Sequence, residues 1–291
     1  MAREPPETRG RVLGSGDHSR ASQQGRQSGG PHGRGRDQRG EPGPQPDGWP
    51  RLSRRRNHVD SPAAVRRVVL FDIDGTLISG GPAKDAFCEA MIETFGTLGD
   101  VNEVSFAGKT DPQIVRELLA GAGLEQARVD SSLPDLFARY VEKLEIQLVD
   151  RPVDVLPGVP ELLDALGEID DVGLALLTGN IVRGAELKLR SAGLWGHFTL
   201  GSYGSDHAER DRLPRIALER ARRVWGGTIE PSDAIVVGDT PRDVSCGQGE
   251  GTRTLAVATG HFSVCRLQGT GADHVLEDLS NTDDVLALLT A

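Results

Sequence analysis

The sequence predicts an α/β fold, in which a parallel sheet core is interrupted by an inserted all-helical segment and preceded by a low-complexity tail. Three observations carry this reading. Short apolar runs alternate with helical patterns from Arg66 to the end of the chain, as in βαβ units. Three of those runs end in a polar residue: Asp72, Thr178 and Asp239. Between the first run and the others, residues 82–156 show helical spacing and no clear strand.

In chain order, residues 1–64 come first. They are dense in Gly, Pro, Gln, Ser and Arg and hold twelve Arg against seven Asp or Glu, a net of +5. The whole chain of 291 residues carries −10, which leaves −15 for the remainder. Such a segment buries too little apolar area to offset its ordering entropy, so it is expected to be disordered. The Arg54-Arg55-Arg56 run allows at most weak RNA contact, because only Trp49 is interleaved with the arginines. Deleting residues 1–60 is expected to leave turnover and melting temperature nearly unchanged. A collapse of either in the truncated protein would make the segment structural.

Val68–Asp72 reads as a fully buried strand, since its apolar run is β-branched and ends at a turn. Helices follow at Asp85–Thr97, Pro112–Ala122 and Pro134–Val149, the last with Leu136, Tyr140, Leu144 and Leu148 on one face. The turn Leu156-Pro157-Gly158 closes this insertion. Val172–Leu177 is a strand, Val182–Ala192 a helix closed by Gly193, and Phe198–Leu200 a short strand. Leu213–Trp225 is a helix and Ala234–Val237 a strand. Thr254–Ala258 is another strand, Val275–Leu276 an edge piece and Asp283–Leu289 a closing helix. The organisation is therefore a tail (1–64), a Rossmann-like core (65–80 and 157–291) and a helical cap (81–156).

The carboxyl ends of parallel strands are where open α/β sheets place their chemistry. Asp72 and Asp74 follow the first strand directly. Two buried carboxylates without a cation would each cost several kcal/mol, about the penalty of an unpaired polar group or more. Mg²⁺ is the simplest candidate for that cation, because it prefers hard oxygen ligands. Composition excludes other classes. Net negative charge argues against nucleic acid or anionic membrane as a partner. No apolar stretch approaches a membrane span and no secretory leader is evident. Cys88, Cys246 and Cys265 are too scattered for a zinc site and read as reduced thiols in a cytoplasmic protein. The seven histidines read as incidental; His207 and His261 read as surface residues, with the crevice wall as the alternative.

The run Asp72-Ile73-Asp74-Gly75-Thr76 matches Asp-x-Asp-Gly-Thr, the first motif of the haloacid dehalogenase-like (HAD) superfamily. Leu176-Leu177-Thr178 resembles its second motif, and Gly238-Asp239-Thr240-Pro241-Arg242-Asp243 its acidic fourth. The resemblance covers about residues 66–291 and is nearest to the helical-cap branch that includes phosphoglycolate phosphatases. It implies a Mg²⁺-dependent phosphatase acting on a small phosphorylated metabolite through an aspartyl-phosphate. Asp72 would be the nucleophile, and Asp74 the acid and base. Gly75 would let the backbone turn away. Thr178, Gly179 and Asn180 would hold the phosphoryl oxygens, aided by the following helix N-terminus. Asp72, the Asp74 carbonyl, Asp239 and Asp243 would surround the metal, with Asp243 either binding a metal water or orienting a cation.

The family's third motif is usually a Lys between the second and fourth. Only Lys188 falls there, ten residues after Thr178 and inside a helix, which is too early. Arg210, Arg212 and Arg215 are the alternatives, and Arg210 is favoured because it precedes the helix. Lys109, in the cap loop Gly108-Lys109-Thr110-Asp111-Pro112, would reach the far end of a substrate. That loop is no phosphate-binding P-loop, since Glu103 stands where a glycine is required. The competing readings are a sugar-phosphate mutase using the same intermediate and a non-catalytic binding protein on this fold. Asp74 argues against a dehalogenase, which needs no second carboxylate, and against phosphonate cleavage, whose branch has Ala there.

Overall fold

The computed structural model describes residues 64–291, so the expectation for the tail concerns residues outside the described ones, apart from Ala64. A six-stranded parallel sheet forms from β1 (Arg67–Phe71), β4 (Val172–Leu177), β5 (Leu200–Ser202), β6 (Ala234–Gly238), β7 (Arg253–Val257) and β8 (His274–Leu276). Its spatial order is β5-β4-β1-β6-β7-β8. The strand bearing the first motif therefore lies centrally, with β4 on one side and β6 on the other.

Both faces of this sheet are covered, which is why its strands read as continuous apolar runs rather than alternating ones. Val69, Phe71, Leu174, Leu176, Ile235 and Val237 project into one core, shared with α4 (Val159–Gly167), α5 (Val182–Ser191) and α9 (Thr282–Thr290). Val68, Leu70, Ala175, Leu177, Ala234 and Val236 project into the other, against Leu213, Ala217, Leu218 and Ala221 of α6 (Leu213–Trp225). The period of two is intact, but both phases are buried. Two further helices, α7 (Pro241–Glu250) and α8 (Val264–Gln268), flank the strands after β6 and β7.

Between β1 and β4 the chain leaves the sheet through β2 (Ile78–Gly80) and returns through β3 (Val153–Val155). These two pair antiparallel, Ile78 opposite Val155 and Gly80 opposite Val153. The strand β3 corrects the expectation of no strand in 82–156; three residues are too few to show a period. Between the two lie α1 (Ala83–Phe95), α2 (Asp111–Leu119) and α3 (Gln126–Asp150). Leu136, Tyr140, Leu144 and Leu148 are all buried, as their spacing predicts. The helix α3 begins eight residues before Pro134, where the sequence reading started it. Proline costs a helix one hydrogen bond and reads as a start, and the polar stretch Gln126–Ser132 has almost no apolar period to extend it backwards. The rings of Phe87 and Tyr140 meet edge to face at 5.4 Å and fix α1 on α3. No helix among the described residues is long and apolar enough to cross a membrane, and the three cysteines are unpaired.

Candidate active site

The carboxyl ends of β4, β1 and β6 open into a cavity of about 450 Å³, closed on its far side by residues from α1, α2 and α3. Nine of the ten candidate residues line it: Asp72, Asp74, Gly75, Lys109, Thr178, Gly179, Asn180, Arg210 and Asp239. Asp243 does not reach the cavity wall. It stands behind Arg210, whose guanidinium touches both Asp243 Oδ1 and, at 3.0 Å, Asp72 Oδ1.

Local sequence explains each placement. β1 runs straight into Asp72, whose N–H donates to the Val237 carbonyl at 2.9 Å and so ties the first motif to β6. The chain then reverses at Gly75, which has φ +85°. A Cβ there would lie 2.5 Å from Asp239 Oδ2, so both conformation and space demand glycine. β6 ends at Asp239, and Thr240 caps α7. Its hydroxyl accepts from Asp243 N–H, while Asp243 Oδ2 accepts from the Thr240 N–H at 3.0 Å and hydroxyl at 2.7 Å. Asp243 is thereby locked, with one oxygen on the cap and the other on Arg210.

Arg210 sits in a single 3₁₀ turn, Arg210–Arg212, just before α6 and is 4% exposed. Arg212 and Arg215 point to solvent and pair with Glu209 and Glu219. Of the three arginines only Arg210 reaches the carboxylates.

The electrostatics follow from crowding. Burial pushes the Asp72 carboxyl up to about 7; Arg210 opposes this, while the charges of Asp243 and Asp74 reinforce it. Burial likewise pushes Asp239 up to about 8, aided by Asp72 and Asp243. Oxygens of Asp72, Asp239 and Asp243 lie within 4.8 Å of one another. Asp239 Oδ1 is buried and has no hydrogen-bond partner. Three carboxylates against one guanidinium leave a deficit of positive charge beside an unpartnered hard oxygen. A small divalent cation of the Mg²⁺ type fits that donor set.

The third wall comes from the end of β4. Thr178 is fully buried, and its hydroxyl accepts from the Asn180 side-chain amide at 2.9 Å. The Asn180 amide also donates to Asp74 Oδ2 at 2.7 Å. The Gly179 carbonyl accepts from Asp111 N–H at 2.8 Å, and Asp111 Oδ2 accepts from Ile181 N–H, also at 2.8 Å. This clamps the start of α2 onto the N-terminus of α5. Burial pushes the Asp111 carboxyl up to about 6, against the pull of Lys188. A Cβ on Gly179 would run into the Lys109 carbonyl although its φ is not positive. Gly179→Ala is therefore expected to lift the cap loop off the core. Overpacking of this kind costs about 1–3 kcal/mol, and activity should fall with it. A thermal melt and a turnover assay on the variant check this; wild-type values would mean the loop yields freely.

Two lysines stand differently from the sequence reading. Lys109 lines the cavity, but its ammonium is held by Glu117. Lys84 lines the same cavity, 5.4 Å above the Phe106 ring, and has no carboxylate partner among the described residues. Lys188, set aside as too early in the chain, is 4% exposed and donates to both oxygens of Asp74. Partial desolvation at the cavity wall raises the Asp74 pKa, but Lys188 and then Asn180 outweigh it and hold that carboxyl below its usual range. The sequence signal for Lys188 is the scarcity of lysine, four in this arginine-rich chain; in the structure three of them, Lys84, Lys109 and Lys188, line this one cavity. His261 also lies on its wall, whereas His207 accepts from Glu209 N–H in its own loop.

A sequence profile described as haloacid dehalogenase-like hydrolase matches residues 66–251. The chain belongs to the haloacid dehalogenase-like hydrolases. It is 28% identical over 206 residues to phosphoglycolate phosphatase 1 of Pseudomonas aeruginosa, covering 67% of this chain and 70% of that one. It is 29% identical over 209 residues to N-acetylmuramic acid 6-phosphate phosphatase of the same organism, covering 67% and 83%. A hydrolase structure from Pseudomonas syringae superposes with a TM-score of 0.55 at 19% identity, over 77% of this chain and 99% of that one, a likeness of fold.

Proposed function

We propose that this chain is a Mg²⁺-dependent phosphatase that hydrolyses a small phosphomonoester through an aspartyl-phosphate on Asp72. The observation that supports it most is the meeting of Asp72, Thr178 and Asp239 at three adjacent strand ends, with Arg210 on Asp72. Residues 81–156 would be the cap and residues 65–80 and 157–291 the core. The substrate would be a cytoplasmic metabolite of the size the cavity admits, about 450 Å³, which lies within the usual range of small-molecule sites.

Asp72 would attack phosphorus as the bond to the leaving oxygen breaks, and Asp74 would give that oxygen its proton. Asp74 would then take a proton from water, whose oxygen attacks phosphorus and breaks the bond to Asp72. Thr178, the Gly179 N–H and Asn180 would hold phosphoryl oxygens. Arg210 would neutralise them from the other side, and Asp243 would keep its fork aimed. Asp72, the Asp74 carbonyl and Asp239 would hold Mg²⁺, with Asp243 close by. When bound, the cation would cancel the repulsion between the Asp72 carboxylate and a phosphate dianion.

The test is a screen of phosphorylated metabolites that includes phosphoglycolate, amino-sugar phosphates, hexose phosphates and nucleoside monophosphates. Phosphate release that EDTA stops and Mg²⁺ restores is the expected outcome. Release indifferent to EDTA would remove the metal from this account, and isomerised hexose phosphate without release would make the enzyme a mutase.

A further inference from the structure

Lys188 is the most fully engaged cation at the site, yet it touches neither Asp72 nor Asp239. Its ammonium donates to Asp74 Oδ1 at 2.8 Å, Asp74 Oδ2 at 2.9 Å and Asn180 Oδ1 at 2.7 Å. The Asn180 amide donates in turn to Asp74 Oδ2 at 2.7 Å and to Thr178 Oγ1 at 2.9 Å. Three ammonium contacts and two amide contacts form one closed set, so neither donor group has spare capacity. Lys188 is deeply buried, whereas the Asp74 side chain stays 49% exposed, facing the cavity. The carboxylate thus has fixed donors on its α5 side and open space on the other.

Geometry explains how a residue two turns into α5 arrives there. Helical side chains lean towards the helix N-terminus, and that of α5 lies beside Thr178-Gly179-Asn180. Gly184, on the same helix, lets the Tyr140 ring approach closely. The groups acting on this pocket from other elements are Asp74, Asp111 at the start of α2 and the Tyr140 phenol of α3. Lys188 is the cation beside them, and of these three groups its ammonium hydrogen-bonds to Asp74. An aspartate on a loop has two rotatable torsions and would otherwise sample several rotamers. Holding a proton-transfer group in one arrangement is a large part of what a site contributes to rate.

We propose that Lys188 is a positioning residue: with Asn180 it fixes the Asp74 carboxyl as the group that passes a proton to the leaving oxygen of the substrate. This rests on the phosphatase reading above. In the step concerned, the Asp72 oxygen bonds to phosphorus, the ester P–O bond breaks, and Asp74 relays to the departing alkoxide the proton carried in on the substrate's monoanionic phosphoryl group. Lys188 itself gives up no proton.

The test compares kcat/KM for p-nitrophenyl phosphate with that for an alkyl phosphate from the screen, because kcat/KM reports the steps up to alcohol release. Nitrophenolate leaves without a proton and an alkoxide does not, and general acid catalysis contributes about 10²–10⁴-fold. Lys188→Met is expected to lose at least about tenfold more on the alkyl ester than on the aryl ester, a conservative share of that range. Lys188→Arg should recover part of the difference. In an Asp74→Asn background, adding Lys188→Met should leave the alkyl-to-aryl ratio where Asp74→Asn put it. Should Lys188→Met not fold, Lys188→Gln makes the same comparison. Equal losses on both esters, or a fully additive loss in the Asp74→Asn background, would overturn this role and leave the phosphatase reading standing. A wild-type enzyme that hydrolyses neither ester would overturn both.

Discussion

Asp72→Asn is expected to abolish turnover, by about 10⁴-fold or more on the scale of other nucleophile deletions, and to leave the fold intact. The two halves of this expectation have different causes. Catalysis fails because an amide oxygen cannot take the place of the attacking carboxylate. The fold survives because the site already disfavours charge at this position: burial lifts the Asp72 carboxyl from 3.8 to about 7. A carboxyl whose folded pKa lies above its unfolded one costs stability as pH rises past 3.8, and the cost stops growing above about 7. A neutral isostere removes that cost. The variant should therefore melt no lower than wild type at pH 8, with the gap in its favour closing as the pH falls. A large loss of melting temperature, or turnover within tenfold of wild type, would contradict the role given to Asp72 here.

Arg210 is expected to show the reverse pattern, damage to fold and function together. It is 4% exposed and is the cation in contact with two buried carboxylates, Asp72 and Asp243. Its own pKa tells the same story: burial alone would lower it, but Asp243 and then Asp72 raise it well above the usual value. Removing one partner of such a group leaves buried charge uncompensated, at about 3–5 kcal/mol. Arg210→Ala should lose stability of that order, and turnover by about 10²–10³-fold, as when one donor to a developing anion is lost. Arg210→Lys restores the charge but not the fork that meets Asp72 and Asp243 at once, so it should fall between the two. A denaturant melt and steady-state kinetics on both variants decide this. An alanine variant as stable as wild type would contradict the compensating role given to Arg210.

The sheet was legible in the sequence because its strands are buried on both faces, and continuous apolar runs such as Val172–Leu177, bounded by turns, read as buried strands. The first, second and fourth motifs were legible because each sits at the end of such a strand. β3 was not, since a three-residue strand carries no period. The first turns of α3 were hidden by Pro134 and by a polar surface. Lys188 was not legible for a geometric reason: a helix folds a residue ten positions on back over its own N-terminus, so separation along the chain misstates distance in space. The cavity wall after β7 was missed for lack of charge. There Thr259 donates to the Gly75 carbonyl at 2.5 Å, and a Cβ on Gly260 would meet Asp239 Oδ2. These are positional roles that residue type does not announce. Phe87, Ile114 and Tyr140 illustrate a further limit, because a helical apolar stripe looks the same whether it faces a core or a substrate cavity.

The most direct test of the central claim is to trap the intermediate. Enzyme mixed with Mg²⁺ and a substrate from the screen is quenched in acid within one turnover, and the peptide spanning Val68–Leu77 is weighed. One added phosphoryl group on Asp72, present only when Mg²⁺ is present and absent from Asp72→Asn, is the predicted result. Steady turnover with no phosphoryl group on that peptide, or with one on a different residue, would contradict it.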